Sequence, residues 1–188
     1  MGGAGRATPI IETVVTTLNP DGNVNCGAMG VEWGATRIVI KPYRGTRTLR
    51  NLRATGTAVV NVTDDILLFS QAALGDPQPP THPAASVEGA VLDDACSWRE
   101  VRVESIDDSA QRARVSTVVV GGGTGREFLG LNRARYAVLE ASILASRARM
   151  LDAEDIRAEL RRLQVLVDKT GGPREREAME YVRAVIER

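Results

Sequence analysis

The sequence predicts a mainly β protein with α: an antiparallel barrel over residues 1–125 and a helical region over 126–188. Three observations carry this. Residues 10–120 fall into short runs rich in β-branched residues, joined mostly by tight turns, which suits an antiparallel barrel better than a parallel sheet. From residue 126 onward, apolar residues recur at helical spacing. The chain has 188 residues, 43% hydrophobic and 26% charged, long enough to bury a core without disulfides or metal.

The elements follow in order. Ile10 to Leu18 is too short and too β-branched for a typical helix and reads as a strand. Asn19-Pro20-Asp21-Gly22 has turn composition, and Asn23 to Glu32 returns, so the pair is a hairpin. Arg37 to Pro42 is a third strand, stopped by proline. Thr48 to Thr55 reads as a helix with Gly56 at its C-terminal stop. Thr57 to Val62 is a fourth strand, and Asp64 or Asp65 can cap a short helix through Leu74. Pro77, Pro79, Pro80 and Pro83 mark an irregular loop. Val87–Leu92, Glu100–Ile106 and Arg112–Val120 bring the strands to about seven, the last two joined at Asp107-Asp108-Ser109.

In the helical region, Ala134, Ala137, Val138, Ala141, Leu144, Ala145 and Ala148 lie on one stripe. Asp152 can cap a second helix, with Ile156, Leu160, Leu163 and Val167 on one face. Gly171-Gly172-Pro173 ends that helix and starts a third. The region reads as packing or dimerisation surface. Gly121 to Gly125 fits neither the Walker pattern nor the dinucleotide fingerprint and reads as a flexible joint between barrel and helices.

Composition excludes several functions. Lys+Arg and Asp+Glu are 24 each, so a general nucleic-acid binder, with its basic excess, is not expected. No apolar run is long enough to span a membrane. Met1 to Thr8 has no apolar core, so no secretory signal is expected, and Arg6 stands where myristoylation wants Ser or Thr. One histidine and two cysteines cannot build a Cys/His zinc site at short spacing, and no metal is expected. Cys26 and Cys96 read as free thiols of a cytoplasmic protein. His82 reads as an exposed loop residue. With these chemistries set aside, an enzymatic reaction would need a cofactor.

Residues 23–61 are the most informative. Between Glu32 and Asp64 there is no acidic residue, while Arg37, Lys41, Arg44, Arg47, Arg50 and Arg53 lie within the gap. A local basic excess in a neutral chain points to an anion site, with a solvated basic helix face as the alternative. Tyr43, Thr46 and Thr48 add hydroxyl donors at a helix start, where free N–H groups favour a phosphate. Asn25-Cys26-Gly27-Ala28-Met29-Gly30 is a strand of small residues, suited either to a flat ring lying against the backbone or to a bulge that closes a barrel. Phosphate and ring sites on neighbouring strands together describe a mononucleotide cofactor. Cys26 reads as a small buried filler.

The run from Thr16 to Val31 resembles the opening hairpin of FMN-binding split-barrel proteins of the flavin reductase type. Lys41-Pro42, Thr48-Leu49-Arg50-Asn51-Leu52, Thr55-Gly56 and Val59-Val60-Asn61-Val62 resemble their phosphate-binding segment. More closely, the chain is similar to the DUF447 family, whose C-terminal region resembles Phe128-Leu129-Gly130-Leu131-Asn132-Arg133-Ala134 and the helix reaching Glu140, Ile143 and Arg147. The resemblance implies a six-stranded antiparallel split β-barrel, a homodimer, and FMN bound non-covalently near the subunit interface. It implies phosphate contacts from Lys41, Thr46 and Thr48, with Tyr43 and Asn51 nearby. Asn25, Cys26, Ala28 and Met29 would border the isoalloxazine, Asn61 would brace the site, and Asn132 and Arg133 could approach it from either subunit. An oxidoreductase acting on a small substrate is implied, linked by association to one-carbon or pterin metabolism. A non-catalytic flavin carrier or sensor is the alternative, and no catalytic residue is assigned.

Overall fold

The computed structural model describes residues 8–187, so the readings placed on Met1 to Arg6 lie outside the described residues. β1 (Ile10–Leu18) and β2 (Val24–Trp33) form the expected hairpin. Gly22 takes φ +84°, the left-handed geometry its turn requires. The ladder runs unbroken from Ile10 opposite Glu32 to Leu18 opposite Val24, so the small-residue strand contains no bulge. β3 (Arg37–Ile40) leads through a turn to α1 (Arg47–Thr55), which ends at Gly56 with φ +68°. β4 (Thr57–Val62) and α2 (Ile66–Leu74) follow. Of the two candidate caps, Asp65 is the one used, accepting from the Leu67 and Leu68 amides.

β5 (Thr81–Pro83) and β6 (Ala90–Leu92) make a separate two-stranded ribbon. The proline loop thus contains a strand, which a ribbon edge tolerates because Pro83 need not donate there. His82 belongs to this strand, its Nδ1 2.7 Å from Asp93 Oδ1 and its ring edge-on to Trp98. β7 (Ser97–Asp107) and β8 (Arg114–Thr124) complete the set. Six strands close the barrel in the order β1-β2-β3-β8-β7-β4, one fewer than the sequence count, because the ribbon stands outside.

The glycine run is not a joint. Gly121, Gly122 and Gly123 continue β8 and pair with Glu100, Arg99 and Trp98 of β7. A Cβ on Gly123 would run into the Trp98 ring, and one on Gly121 into the Ser86 side chain. Glycine is there for neighbouring side chains rather than for flexibility.

Two cores share the strands. Inside the barrel lie Val15, Val31, Ile38, Ile40, Val60, Val101 and Val115, joined by Leu49 and Leu52 of α1. Outside, Val14 and Cys26 pack under α2, which in turn meets α3 (Arg133–Ser146) and α5 (Pro173–Ile186); α4 (Ala153–Thr170) packs on α3, and all four helices belong to one continuous core. Along α3, Ala134, Ala137 and Ala141 are buried, and such small residues allow close helix approach. Ser142 donates to Ser70 of α2 at 2.9 Å across that contact.

Asp64, just before α2, ties the segment that follows β8 to the start of α3. Its side chain is 4% exposed and pairs with Arg126 and, at 2.7 Å, with Arg135 of α3. Its Oδ2 also accepts from the Leu129 amide. Burial alone would raise its carboxyl; hydrogen bonds from Arg126 and Leu129 outweigh that and hold it below the ordinary carboxylate range.

Candidate functional site

The period of two divides the small-residue strand between faces. Asn25, Gly27, Met29 and Val31 point one way, with Met29 and Val31 in the barrel core. Cys26, Ala28, Gly30 and Glu32 point the other way, with Cys26 and Ala28 against α2 and its partners. The four expected ring neighbours therefore do not share one face. Cys26 is 4% exposed, and burial, followed by the charge of Asp76, pushes its thiol up to about 11. It is an inert filler at neutral pH. Gly27 lets α1 come close: a Cβ there would sit 2.8 Å from Thr48 Oγ1.

That approach joins β1, β2 and α1 through a buried polar network. Asn25 Nδ2 donates to Thr17 Oγ1 and to Thr48 Oγ1, both at 3.1 Å. Asn51 Nδ2 donates to Thr17 Oγ1 at 3.1 Å and to Asn19 Oδ1 at 2.9 Å. The Thr48 oxygen accepts, which leaves its hydrogen free to donate. Thr46 caps α1, accepting from Leu49 N and donating to Tyr43 O, so its hydroxyl is spent on the turn. The amides of Arg47 and Thr48 open the helix, where no intrahelical acceptor exists. Gly45, at φ +81°, turns the chain into this position.

The basic run is largely compensated, by residues far along the chain. Arg37 pairs with Glu104, Lys41 with Glu32, Arg47 with Asp76 and Arg53 with Asp108. Arg44 and Arg50 have no carboxylate partner among the described residues; Arg50 donates to Gly45 O at 2.6 Å. Hydrogen bonds from Arg114, then Lys41, hold Glu32 at about 2. Tyr43 is exposed, with the Arg112 guanidinium 4.3 Å from its ring centre and donating to its hydroxyl.

Asn61 lies apart from this group. It donates to Val14 O and Thr16 Oγ1 and accepts from Leu92 N, fastening β4 to β1 and β6. Asn132 caps α3 and donates to Thr170 O, which fixes the end of α4. A cavity of about 890 Å³ opens beside α1, lined by Asn19, Arg47, Arg50, Asn51 and Asp76 among others. The structure thus brings Asn25, Thr48 and Asn51 together at the start of α1, with Thr46, Tyr43 and the two unpaired arginines on the same turn. Two features escaped the sequence reading: the Asp64 hub and Glu12, which faces Gly30 across the hairpin. The acid–base order of the chain carries no signal for either: the partners of Asp64 are long-range, and Glu12 has no ion pair among the described residues.

The chain matches a family described as protein of unknown function, DUF447: its N-terminal domain over residues 11–126 and its C-terminal domain over 132–184. Among solved structures, an FMN-bound protein of that family from Methanosarcina mazei aligns with a TM-score of 0.82 at 22% identity, covering 95% of this chain and 97% of that one. Nitrilotriacetate monooxygenase component B from Bacillus cereus aligns with a TM-score of 0.54 at 16% identity, over 71% and 79% of the two chains. An FMN-binding protein from Thermus thermophilus aligns with a TM-score of 0.53 at 12% identity, over 66% and 75%. These likenesses show a shared fold, the flavin reductase-like split barrel.

Proposed function

Since the chain belongs to the DUF447 family, we propose that it is a flavoprotein that holds FMN non-covalently and acts as an oxidoreductase on a small substrate in the cytoplasm. The observation that carries this is the donor set at the start of α1: two open amides, the Thr48 hydroxyl and two arginines without carboxylates, on a barrel whose Methanosarcina relative is FMN-bound. The set fits one phosphate. Bound FMN supplies electron and hydride transfer, which the side chains here do not offer.

The chain's own part is binding and orientation. Asn25 fixes the Thr48 oxygen, so the hydroxyl hydrogen points away from the network and toward the phosphate. Asn51 holds the Asn19 turn against α1. Arg44 and Arg50 balance the phosphate charge, with Lys41 and Tyr43 on the approach. The backbone of β2 at Ala28 and Met29 borders the ring, and Cys26 and Asn61 support the walls from behind. Phe128, Leu129, Leu131 and Tyr136 are 50–82% exposed within one short stretch, an apolar surface that supports a homodimer.

Titrating apoprotein with FMN, FAD and riboflavin tests the binding. FMN is expected to bind tightest, and a preference for FAD or no uptake of FMN overturns the reading. Anaerobic mixing with NADH or NADPH, followed by a panel of acceptors that includes a pterin, separates oxidoreductase from carrier or sensor. Reduction and turnover support the former. A flavin that no donor reduces supports the latter.

A further inference from the structure

β8 has a strand on both sides for only part of its length. β3 pairs with Val115 to Val118, and Val119 N then donates to Thr36 O at 2.9 Å. From Val120 to Thr124 the strand pairs with β7 alone, so its other edge has no strand against it among the described residues. Hydrogen bonds on either side of this stretch fix which groups face outward. Val120 is the extra residue of a bulge, since Gly121 stands opposite Glu100 and Val119 opposite Val101. Beyond the bulge, Gly125 N donates to Cys96 O on the β7 side at 2.9 Å. Antiparallel ladders alternate, so Gly121 and Gly123 bond to β7, while the N–H and C=O of Gly122 and Thr124 turn to the open edge. Gly122 and Thr124 are both exposed.

Such an edge is normally blunted by a charge or a proline. Val120-Gly121-Gly122-Gly123-Thr124 has neither. The Ser86 and Trp98 side chains meet a Cβ built on Gly121 and on Gly123. A Cβ points out of the pleat, so these side chains cover a face of the sheet and leave its edge clear.

The same residues say what fits there. A foreign peptide that adds a strand is selected through its alternate side chains, and three consecutive glycines give it little to be selected by. A second copy needs no such selection, because a two-fold axis matches the edge to itself and closes both edges at once. With the axis at Gly123, Gly122 of one copy lies opposite Thr124 of the other on both sides of the axis. These residues face outward, so each such pair exchanges both of its N–H···O bonds. Backbone bonds alone do not hold a dimer, since stable interfaces bury about 1,200–2,000 Å² in total. Phe128, Leu129 and Leu131, 50–82% exposed, follow on the same stretch of chain and supply apolar area. The Leu129 amide is bonded to Asp64, which fixes that stretch to the fold.

We propose that the β8 edge from Gly122 to Thr124 pairs antiparallel with the same edge of a second copy, joining two barrels through one continuous sheet. The proposal locates the interface of the homodimer described above; it rests on that reading and is independent of FMN.

Two measurements test it. Thr124→Pro removes an N–H that β7 does not use and places a ring on the edge. In light scattering, wild type should be a dimer and Thr124→Pro a monomer with the near-UV circular dichroism of the native fold. The second measurement uses wild type alone and decides the matter if the variant fails to fold. In the dimer, the amides of Gly122 and Thr124 should exchange hydrogen as slowly as those of Gly121 and Gly123, which β7 holds. A Thr124→Pro protein that remains a dimer overturns the edge pairing, and so does a wild-type dimer whose Gly122 and Thr124 amides exchange at the rate of free ones. Both of those results leave a homodimer built on another surface. A monomeric wild type overturns the edge pairing and the homodimer reading together.

Discussion

Thr48 is 4% exposed, accepts from Asn25 and has a hydrogen left to give. Thr48→Val keeps its shape and removes that donor. A hydrogen bond to a charged acceptor contributes about 1.5–3 kcal/mol, so FMN should bind roughly ten- to a hundredfold more weakly. Riboflavin, without the phosphate, should scarcely notice the change, and fluorescence titration of both ligands checks it. Lys41→Ala should cost FMN binding less than about tenfold, because Glu32 already neutralises that ammonium. Arg53→Ala should change neither binding nor stability by more than about 0.5 kcal/mol, since its partner Asp108 is also exposed. Thr48, Asn25 and Asn51 were legible because residue type and position agree with a helix start beside a strand. The charge balance was not. A window from Glu32 to Asp64 looks uncompensated, yet Glu104, Asp76 and Asp108 come from other elements to meet it. Glu12 was hidden for the same reason in reverse: nothing local marks a carboxyl whose partners fail to arrive.

The β1–β2 hairpin, α1, α2 and the three long C-terminal helices follow from turns, caps and apolar spacing that need no tertiary knowledge. The end of β8 does not. Four glycines in five residues read as slack chain, but the Trp98 ring from β7 occupies the space that side chains would take at Gly123. Gly123→Ala should therefore destabilise the barrel by about 1–3 kcal/mol, as overpacking does. Combined with Trp98→Ala the cost should shrink, and a double-mutant cycle in urea should show coupling of at least about 0.5 kcal/mol. Additive effects would return the run to the status of a loose joint. The ribbon of β5 and β6 was half seen for a related reason. Proline argues against strands in general, and only the ribbon's position outside the barrel makes Pro83 harmless.

At the scale of the molecule, barrel and helices share a core through α2, and Asp64 fastens the arrangement. Asp64→Asn leaves Arg126 with only the exposed Asp94 and Arg135 with only Glu175, and should cost about 3 kcal/mol in urea unfolding. Asp64 and Glu32 are both depressed carboxyls, so their stabilisation is present above the ordinary carboxylate range and lost as pH falls through their folded values. Wild type should weaken between pH 5 and pH 2, and Asp64→Asn should weaken less over that interval. The barrel's wiring also has a consequence in time. β3 closes on β8, with Thr117 donating to the Ile38 carbonyl 79 residues away. A nascent chain that has emerged only as far as α2 carries the open sheet β4-β1-β2-β3, with the β4 edge waiting for β7 and, at the other side, the β3 edge bare until β8 arrives. Closing so long a loop slows folding to about the millisecond-to-second range expected of non-local β topologies. Until β8 leaves the ribosome, that bare edge is open to strands of other chains.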